Sequence, residues 1–156
     1  MKDIIPTVKI VNHAGVRSIK DGMKSNSYSH IIRENKPRWI RISANQNNKS
    51  FELIKERTKN LQLSTVCEEA KCPNLSECWS RGTATFMVMG DTCTRACQFC
   101  SVNTGNPKGW LDKEEPNKIA RTVKERQIKY VVLTCVTRDD LEDGGAKHFA
   151  DTVEAI

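Results

Sequence analysis

Three cysteines on one short loop constrain this sequence more than any other feature. Cys93, Cys97 and Cys100 follow one another as Cys-x3-Cys-x2-Cys, directly after the apolar run TFMVMG. Three thiolates on a tight loop can hold three corners of a cubane iron–sulfur cluster, whose fourth iron then lacks a protein ligand. A cluster that only carries electrons usually has a fourth Cys, and a structural zinc site also takes four ligands. No fourth Cys or His lies nearby in the sequence. The loop therefore favours an iron that can bind and activate a substrate over a zinc site or a disulfide.

A second trio of cysteines precedes the first. Cys67, Cys72 and Cys78 are spaced Cys-x4-Cys-x5-Cys in the segment VCEEAKCPNLSECW, again without a neighbouring His. Pro73 and Asn74 favour a turn between the second and third thiols. Six thiolates on one zinc would leave ligands unused, and zinc ribbons usually pair two short Cys-x2-Cys motifs. Two incomplete trios therefore predict two [4Fe–4S] clusters, the second with a fourth ligand from elsewhere in the fold.

Length and charge limit the class of protein. The 156 residues allow one domain. The first 22 residues lack the apolar core of a signal peptide, and no run approaches the roughly 18 apolar residues of a membrane span. We therefore expect a cytoplasmic location, or a mitochondrial one if the source is eukaryotic. In such compartments Cys clusters are metal sites more often than disulfides. The net charge of +6 is interleaved with 19 acidic residues, which favours a solvated surface over nucleic-acid binding and leaves an acidic protein partner possible.

The amino-terminal part of the chain is less informative. Residues 1–36 are polar and rich in turn formers, which predicts a loosely ordered arm. Trp39 either anchors an extended docking segment or is an ordinary, partly buried Trp. Helical spacing and a plausible N-cap at Ser50 predict a helix from Ser50 to Leu61. The apolar stripe of that helix consists of Phe51, Ile54, Thr58 and Leu61.

The second half alternates strand and helix. Residues 83–89 and 130–136 are β-branched and apolar, and the second run is typical of a parallel strand covered on both faces. Pro116 begins a helix that reaches about Gln127. Another helix follows, marked by apolar positions at Ala146, Phe149, Ala150 and Val153. This βαβα order predicts a parallel sheet, and active sites of such sheets lie at the carboxyl ends of the strands. The Cys93 loop and residues 138–140 both follow strands there.

With both trios in place, residues 36–156 resemble the lipoyl synthases, a family of radical S-adenosylmethionine (SAM) enzymes. The likeness includes the two Cys segments, the aromatic Phe99 before the last Cys, the Glu115-Pro116 helix start and the segment RDDLEDGGAKHFADT. It implies an α/β fold in which residues 83–156 begin a (β/α)6 partial TIM barrel. An amino-terminal arm, residues 1–36, and an extension with the auxiliary Cys motif, residues 37–82, would precede that barrel.

The resemblance also implies roles for the site residues. The loop trio would hold the [4Fe–4S] cluster that binds SAM, and the earlier trio would hold an auxiliary [4Fe–4S] cluster that is consumed as the sulfur donor. Phe99, Arg138, Asp139 and Asp140 are candidate cofactor-binding residues. The last three either contact SAM or substrate, or merely cap the following helix. No residue is assigned a separate catalytic role.

By resemblance, the activity is the insertion of two sulfur atoms into a protein-bound octanoyl group. General acid–base catalysis supplies only about 10²–10⁴-fold, too little for an unactivated C–H bond, so a radical cofactor is required. The implied partners are octanoylated lipoyl-carrier domains of 2-oxo acid dehydrogenase E2 proteins and the glycine cleavage H protein. A reductant such as ferredoxin or flavodoxin would supply electrons. Neither nucleic acid nor membrane is expected as a partner.

The sequence departs from the family in two respects. Cys135 and Thr137 stand where the family usually has Ser and Asp, and Cys135 is interpreted as a small buried strand residue rather than a ligand. The chain is also about half the family's length and ends at Ile156, before the Arg-Ser-Ser-Tyr-His segment whose Ser is the auxiliary cluster's fourth ligand. Two parallel strands with open edges would expose apolar surface. We therefore expect that this chain alone does not complete catalysis.

Two alternatives remain open from the sequence. One is another two-cluster radical SAM enzyme that inserts sulfur, such as a tRNA methylthiotransferase. The other is a non-catalytic metal-binding fragment or a zinc-dependent nucleic-acid module. Iron and sulfide content distinguishes the cluster proteins from the zinc protein.

Overall fold

The structure is a computed structural model that describes residues 9–19, 49–97 and 100–156. Within these ranges the chain forms seven strands and five helices. The strands are β1 (Lys9–Val11), β2 (Arg17–Ile19), β3 (Ser64–Thr65), β4 (Thr83–Val88), β5 (Thr92–Cys93), β6 (Asn103–Gly105) and β7 (Tyr130–Cys135). The helices are α1 (Lys49–Asn60), α2 (Val66–Glu69), α3 (Leu75–Ser80), α4 (Glu115–Glu125) and α5 (Ala146–Ala155).

The predicted parallel pair of strands is confirmed. β4 and β7 run side by side from Thr83 opposite Tyr130 to Val88 opposite Cys135, and α4 lies between them in the sequence. The sheet also has a third strand that the sequence did not predict. β3 pairs antiparallel with the carboxyl half of β4 and gives the strand order β3-β4-β7. The free edge of β4, one of the two expected open edges, is therefore covered at Phe86 and Met87.

The core lies between this sheet and the helices. Trp79 on α3, Phe86 on β4, Ile54 on α1 and Ile119 on α4 are each at most 1% exposed. The predicted stripe of α1 is confirmed at Ile54 and Thr58, both buried. The helix begins at Lys49, so Ser50 lies inside the first turn rather than at the N-cap. In the described ranges, no helix has the length and apolar character needed to cross a bilayer.

The burial of β7 differs from the prediction. The sequence predicted a strand covered on both faces, but Tyr130 is 64% exposed, Val132 is 37% exposed and Cys135 is exposed as well. The reason is topological, because within the part of the chain that the structure describes, β7 is the outer strand of its sheet and pairs with β4 alone. The interpretation of Cys135 as a buried residue was therefore wrong.

The helix predicted after Gly145 is confirmed. Of the four apolar positions that marked it, Phe149 packs against the core, whereas Ala146, Ala150 and Val153 are exposed. The buried residues of α5 are His148 and Thr152. His148 is drawn inward because its imidazole contacts Glu115 of α4. A polar contact therefore sets the face of this helix.

A second sheet joins the amino-terminal part of the chain to the Cys93 loop. β1 and β2 form an antiparallel hairpin, β2 pairs with β6, and β6 pairs with β5, which ends at Cys93. Asn12 makes the hairpin turn, because its Oδ1 accepts hydrogen bonds from the amides of Ala14 and Val16. The prediction of a loosely ordered arm therefore fails for residues 9–19. The proposed anchor Trp39 lies outside the described residues.

Two adjacent glycines before α5 give a matched test of the packing. Gly144 and Gly145 have φ values of 63° and 86°. A Cβ at Gly144 would meet open space, whereas one at Gly145 would overlap the sulfur of buried Met89. We expect Gly144→Ala to cost about 1–2 kcal/mol of stability from backbone strain alone. Gly145→Ala should cost about 2–5 kcal/mol, because overpacking adds to the strain. If urea unfolding shows the same loss of unfolding free energy for both variants, the close approach of residue 145 to Met89 is contradicted.

Candidate functional site

The turn between β4 and β5 delivers the chain to the Cys93 loop. Met89 and Gly90 both have left-handed backbones, with φ values of 72° and 88°. Their amides donate to the two oxygens of the Glu115 carboxylate, Met89 N to Oε2 at 2.7 Å and Gly90 N to Oε1 at 3.1 Å. On the other side, Arg138 Nη1 donates to the Met89 carbonyl at 3.3 Å. The turn is therefore held by charged side chains from two separate segments.

Glu115 has a second buried partner. His148 Nε2 lies 2.8 Å from Glu115 Oε2, and both side chains are less than 10% exposed. Because the carboxylate only accepts hydrogen bonds, the imidazole nitrogen is the donor. The carboxylate thus accepts three hydrogen bonds, two from the turn and one from α5.

Asp91 fixes the first residue of the loop. Its Oδ1 accepts from Asn12 Nδ2 at 2.9 Å and from Thr92 Oγ1 at 2.8 Å. Its Oδ2 accepts from Asn103 Nδ2 at 3.4 Å. The hairpin turn, β6 and the Cys93 loop therefore meet at one carboxylate.

The loop is then joined to the segment after β7. Thr94 N donates to the Thr137 carbonyl at 3.0 Å, and Arg95 donates to both oxygens of Asp139, at 3.2 and 3.0 Å. Hydrogen bonds from Arg95 and Thr94 hold the pKa of Asp139 below its usual value. Both charged groups are more than half exposed, so this pair adds little stability. Its effect is to place residues 94–95 at the carboxyl end of β7.

Arg138 and Asp140 form a buried pair in the same segment. Their side chains are 1% and 6% exposed, and Arg138 Nε and Nη2 each donate to Asp140 at 2.8 Å. Arg138 also donates to the Trp110 carbonyl at 2.7 Å, and Asp140 accepts from Gly109 N at 2.7 Å. The bonds from Arg138 lower the pKa of Asp140 from 3.8 to about 2.

The sequence left two roles open for residues 138–140, contact with SAM or substrate and capping of the following helix. The alternative that they cap the following helix is wrong, because the N-cap of α5 is Gly145 and the side chain that binds amides at the helix start is that of Asp143. Asp143 Oδ1 accepts from Gly145 N and its Oδ2 from Lys147 N, at 2.8 and 3.0 Å, and these bonds lower its pKa. Contact of Arg138, Asp139 and Asp140 with a cofactor stays a prediction. Phe99 lies outside the described residues.

The second trio occupies two short helices and the turn between them. Cys67 lies on α2, Cys72 follows it in the turn, and Cys78 lies on α3. Cys72 N donates to the Cys67 carbonyl at 2.9 Å. β3 pairs Ser64 with Met87 and Thr65 with Phe86, and α2 and α3 then lead to the start of β4. The Cys67 trio therefore precedes β4, whereas the Cys93 trio follows it.

The cysteines have the chemical state that iron–sulfur ligation requires. All seven cysteines are free, which argues against the disulfide alternative. Five of the six trio thiols are partly buried and Cys97 is exposed, so the loop opens to solvent on one side. Arg95 N points at Cys93 Sγ over 3.4 Å, as amides do toward cluster thiolates. Among the described residues, however, no three His, Cys, Asp or Glu side chains are grouped closely enough to hold a metal ion. The structure therefore provides free thiols, the ligand type that an iron–sulfur cluster needs, but the described thiols are not arranged as the ligands of a cluster.

Two clefts lie beside this region. One, of about 510 Å³, separates the hairpin turn at residues 14–17 from residues 106–108 and Trp110. The other, of about 550 Å³, lies along α4 and α5 and includes His148. None of the six trio cysteines lines either cleft.

Sequence reasoning missed several residues of this site. Asp91, Thr94 and Arg95 lie inside the predicted loop, but their partners are distant in sequence. Glu115 was noted only as a helix start, and His148 only within the segment RDDLEDGGAKHFADT. The available signals were a charged residue in the first turn of α4 and a single imidazole on α5.

Comparisons with known proteins agree with the loop trio. The Radical SAM superfamily matches residues 87–155. A lipoyl synthase of Legionella pneumophila (strain Paris) is 58% identical over 142 residues, 91% of this chain and 43% of the relative. One of Francisella philomiragia is 55% identical over 148 residues, 95% of this chain and 45% of the relative. The chain therefore spans less than half the length of these relatives.

Proposed function

Because the chain contains a radical SAM domain and resembles lipoyl synthases over more than nine-tenths of its length, we propose that it is the amino-terminal portion of a lipoyl synthase. The proposed activity is radical SAM-dependent insertion of two sulfur atoms into a protein-bound octanoyl group. The observation that supports it most directly is the position of the Cys93 trio, on the loop that leaves the carboxyl end of β4.

In this proposal, Cys93, Cys97 and Cys100 hold the cluster to which SAM binds. A [4Fe–4S] cluster held by these thiolates would supply the electron for reductive cleavage of SAM. The chain's own contribution is to fix the loop, through Asp91 at its start and Thr94 next to Cys93. Cys97 is exposed, which leaves the open side of the loop accessible to a small ligand.

Cys67, Cys72 and Cys78 would hold the auxiliary cluster, which supplies sulfur. Each trio lies on its own segment, one before β4 and one after it, which supports two separate sites over a single site with six thiolates. α1 packs on α3 and keeps this segment against the sheet, through the Phe51 and Trp79 rings, whose centroids lie 5.6 Å apart.

The parallel β4–β7 pair with α4 between them, followed by α5, supports the start of a (β/α)6 partial barrel. The exposed outer edge of β7 would pair with the next strand of such a barrel. Arg138, Asp139 and Asp140 follow β7 and would face the cofactor side of the barrel. Asp139 is the residue of the three that is exposed enough to contact a ligand directly.

The partners and location follow from the proposed activity. The substrate would be an octanoylated lipoyl-carrier domain of a 2-oxo acid dehydrogenase or of the glycine cleavage system. A ferredoxin or flavodoxin would supply electrons, and the compartment would be the cytoplasm, or the mitochondrion of a eukaryote. Since the chain spans under half of its relatives, we expect turnover on a carrier to need the remainder of that length.

Anaerobic reconstitution tests the proposed function. The purified chain should take up about eight irons and about eight sulfides, as two [4Fe–4S] clusters require. Addition of SAM should change the electron paramagnetic resonance (EPR) spectrum of the reduced protein. Parallel reconstitution with zinc is the control. Uptake of one or two zinc ions, with neither iron nor sulfide retained, would instead favour a zinc-binding fragment.

A further inference from the structure

The turn before the Cys93 loop has an unusual backbone. Met89 and Gly90 are consecutive left-handed residues, and that region is unfavourable for a residue with a Cβ, such as Met89. A conformation of this kind persists only where the surroundings hold it. The turn lies three residues before Cys93, so its conformation sets the direction in which the cluster loop leaves the sheet.

Glu115 is the group that holds this turn. Its carboxylate is buried, at 4% exposure, and accepts the amide protons of both turn residues at 2.7 and 3.1 Å. Two successive left-handed residues direct their amides to the same side, where a single carboxylate can accept both. A neutral side chain at this position could not satisfy both amides through two equivalent acceptor oxygens.

His148 in turn orients Glu115. Its Nε2 donates to Oε2 at 2.8 Å from the neighbouring helix α5, and its side chain is buried at 7% exposure. The contact spans 33 residues of sequence and is made inside the protein. Buried polar pairs contribute little to stability compared with apolar packing of similar size. Their better-documented role is to hold the surrounding segments in a single arrangement.

We propose that Glu115 and His148 are positioning residues for the cluster loop. By holding both amides of the Met89–Gly90 turn, they fix the direction in which the segment that carries Cys93, Cys97 and Cys100 leaves the sheet, and so prepare these thiols to hold the cluster that would bind SAM. This inference rests on the proposed function and extends it to two helix residues that touch neither cluster nor SAM. Partners that orient metal ligands typically change metal affinity or activity by about 10–100-fold when they are replaced.

The test compares four variants of the full chain. His148→Leu removes the donor, His148→Gln keeps one, and Glu115→Gln removes one of the two acceptor oxygens. Thr152→Val is the matched control, because Thr152 is fully buried on the same helix and donates only to the His148 carbonyl of its own helix. Melting temperature, iron content, SAM dissociation constant and the SAM-induced EPR change are measured for each.

We expect His148→Leu and Glu115→Gln to retain iron but to bind SAM about tenfold or more weakly. His148→Gln should restore binding, and Thr152→Val should leave it unchanged despite any loss of melting temperature. In the metal-free protein, the Met89 and Gly90 amides of His148→Leu should exchange with deuterium at least about tenfold faster than in the parent. That measurement needs no reconstituted cluster.

The outcomes separate this inference from the proposed function. Parent protein without iron at the loop would overturn the proposed function and the inference together. Iron at the loop with unchanged SAM binding and unchanged amide exchange in His148→Leu would overturn the inference alone. It would also fail if SAM affinity in all four variants followed melting temperature, since a purely structural role produces that pattern.

Discussion

Replacing Cys97 with alanine is expected to lower the iron content of the reconstituted protein from about eight to about four per chain. The same change should abolish the effect of SAM on the EPR spectrum. The physical reason is that three thiolates on the loop are the full protein ligand set of one cluster, so that a site with two thiolates no longer holds its irons. Cys97 is also the exposed thiol of the trio, so its loss leaves the packing of the core intact.

Two further cysteine variants make this result specific. Cys72→Ala should also halve the iron content, yet leave the response to SAM in place, because it affects only the other trio. Cys135→Ala is the control, since this exposed thiol on β7 belongs to neither trio. Loss of all iron in the Cys97 variant would indicate one shared site, and retention of all of it would exclude the loop as a cluster site.

Replacing Arg138 with methionine is expected to destabilise the protein by about 3–5 kcal/mol. Methionine fills a similar volume but leaves the buried Asp140 carboxylate without its partner and the Met89 and Trp110 carbonyls without a donor. Equilibrium urea unfolding measures the loss. Arg121→Met is the matched control, because Arg121 is an exposed residue of α4 and should change stability by no more than about 0.5 kcal/mol. Equal losses in the two variants would contradict the buried pair.

The same pair predicts how stability depends on pH. The folded protein lowers the pKa of Asp140 to about 2, from 3.8. A lowered carboxyl pKa adds stability that is complete above the unfolded value and is lost as pH falls through the folded one. The advantage of the parent over Arg138→Met should therefore shrink by about 2 kcal/mol between pH ~5 and pH ~2. A constant difference over that range would show that Arg138 does not act through Asp140.

Local patterns explain why much of the fold could be predicted. The β-branched runs at 83–88 and 130–135 and the stripe of α4 are properties of neighbouring residues, so they identify strands and a helix without further information. The Cys93 loop follows β4 directly, so its place at the end of a strand could be inferred too. The face of α5 could not, because a contact between His148 and Glu115 overrides its apolar pattern.

The features that failed depend on partners far along the chain. The hairpin at residues 9–19 is completed by β6, more than 80 residues later, and its own sequence shows only turn formers. The exposure of β7 depends on which strands flank it. Arg138 looks like a ligand-binding residue in sequence, but its guanidinium is buried by carbonyls and a carboxylate from two segments. A buried side chain of this kind is recognised from interatomic distances in the structure, because the spacing of residues in the sequence does not reveal its partners.

The most direct measurement uses SAM labelled with ¹⁵N in its amino group. Electron–nuclear double resonance on the reduced protein detects whether that nitrogen is bound to the paramagnetic cluster. We expect a ¹⁵N coupling in the parent and in Cys72→Ala, and none in Cys97→Ala. A reduced cluster in the parent that shows no coupling to the labelled nitrogen would contradict the assignment of the Cys93 loop as the SAM-binding site.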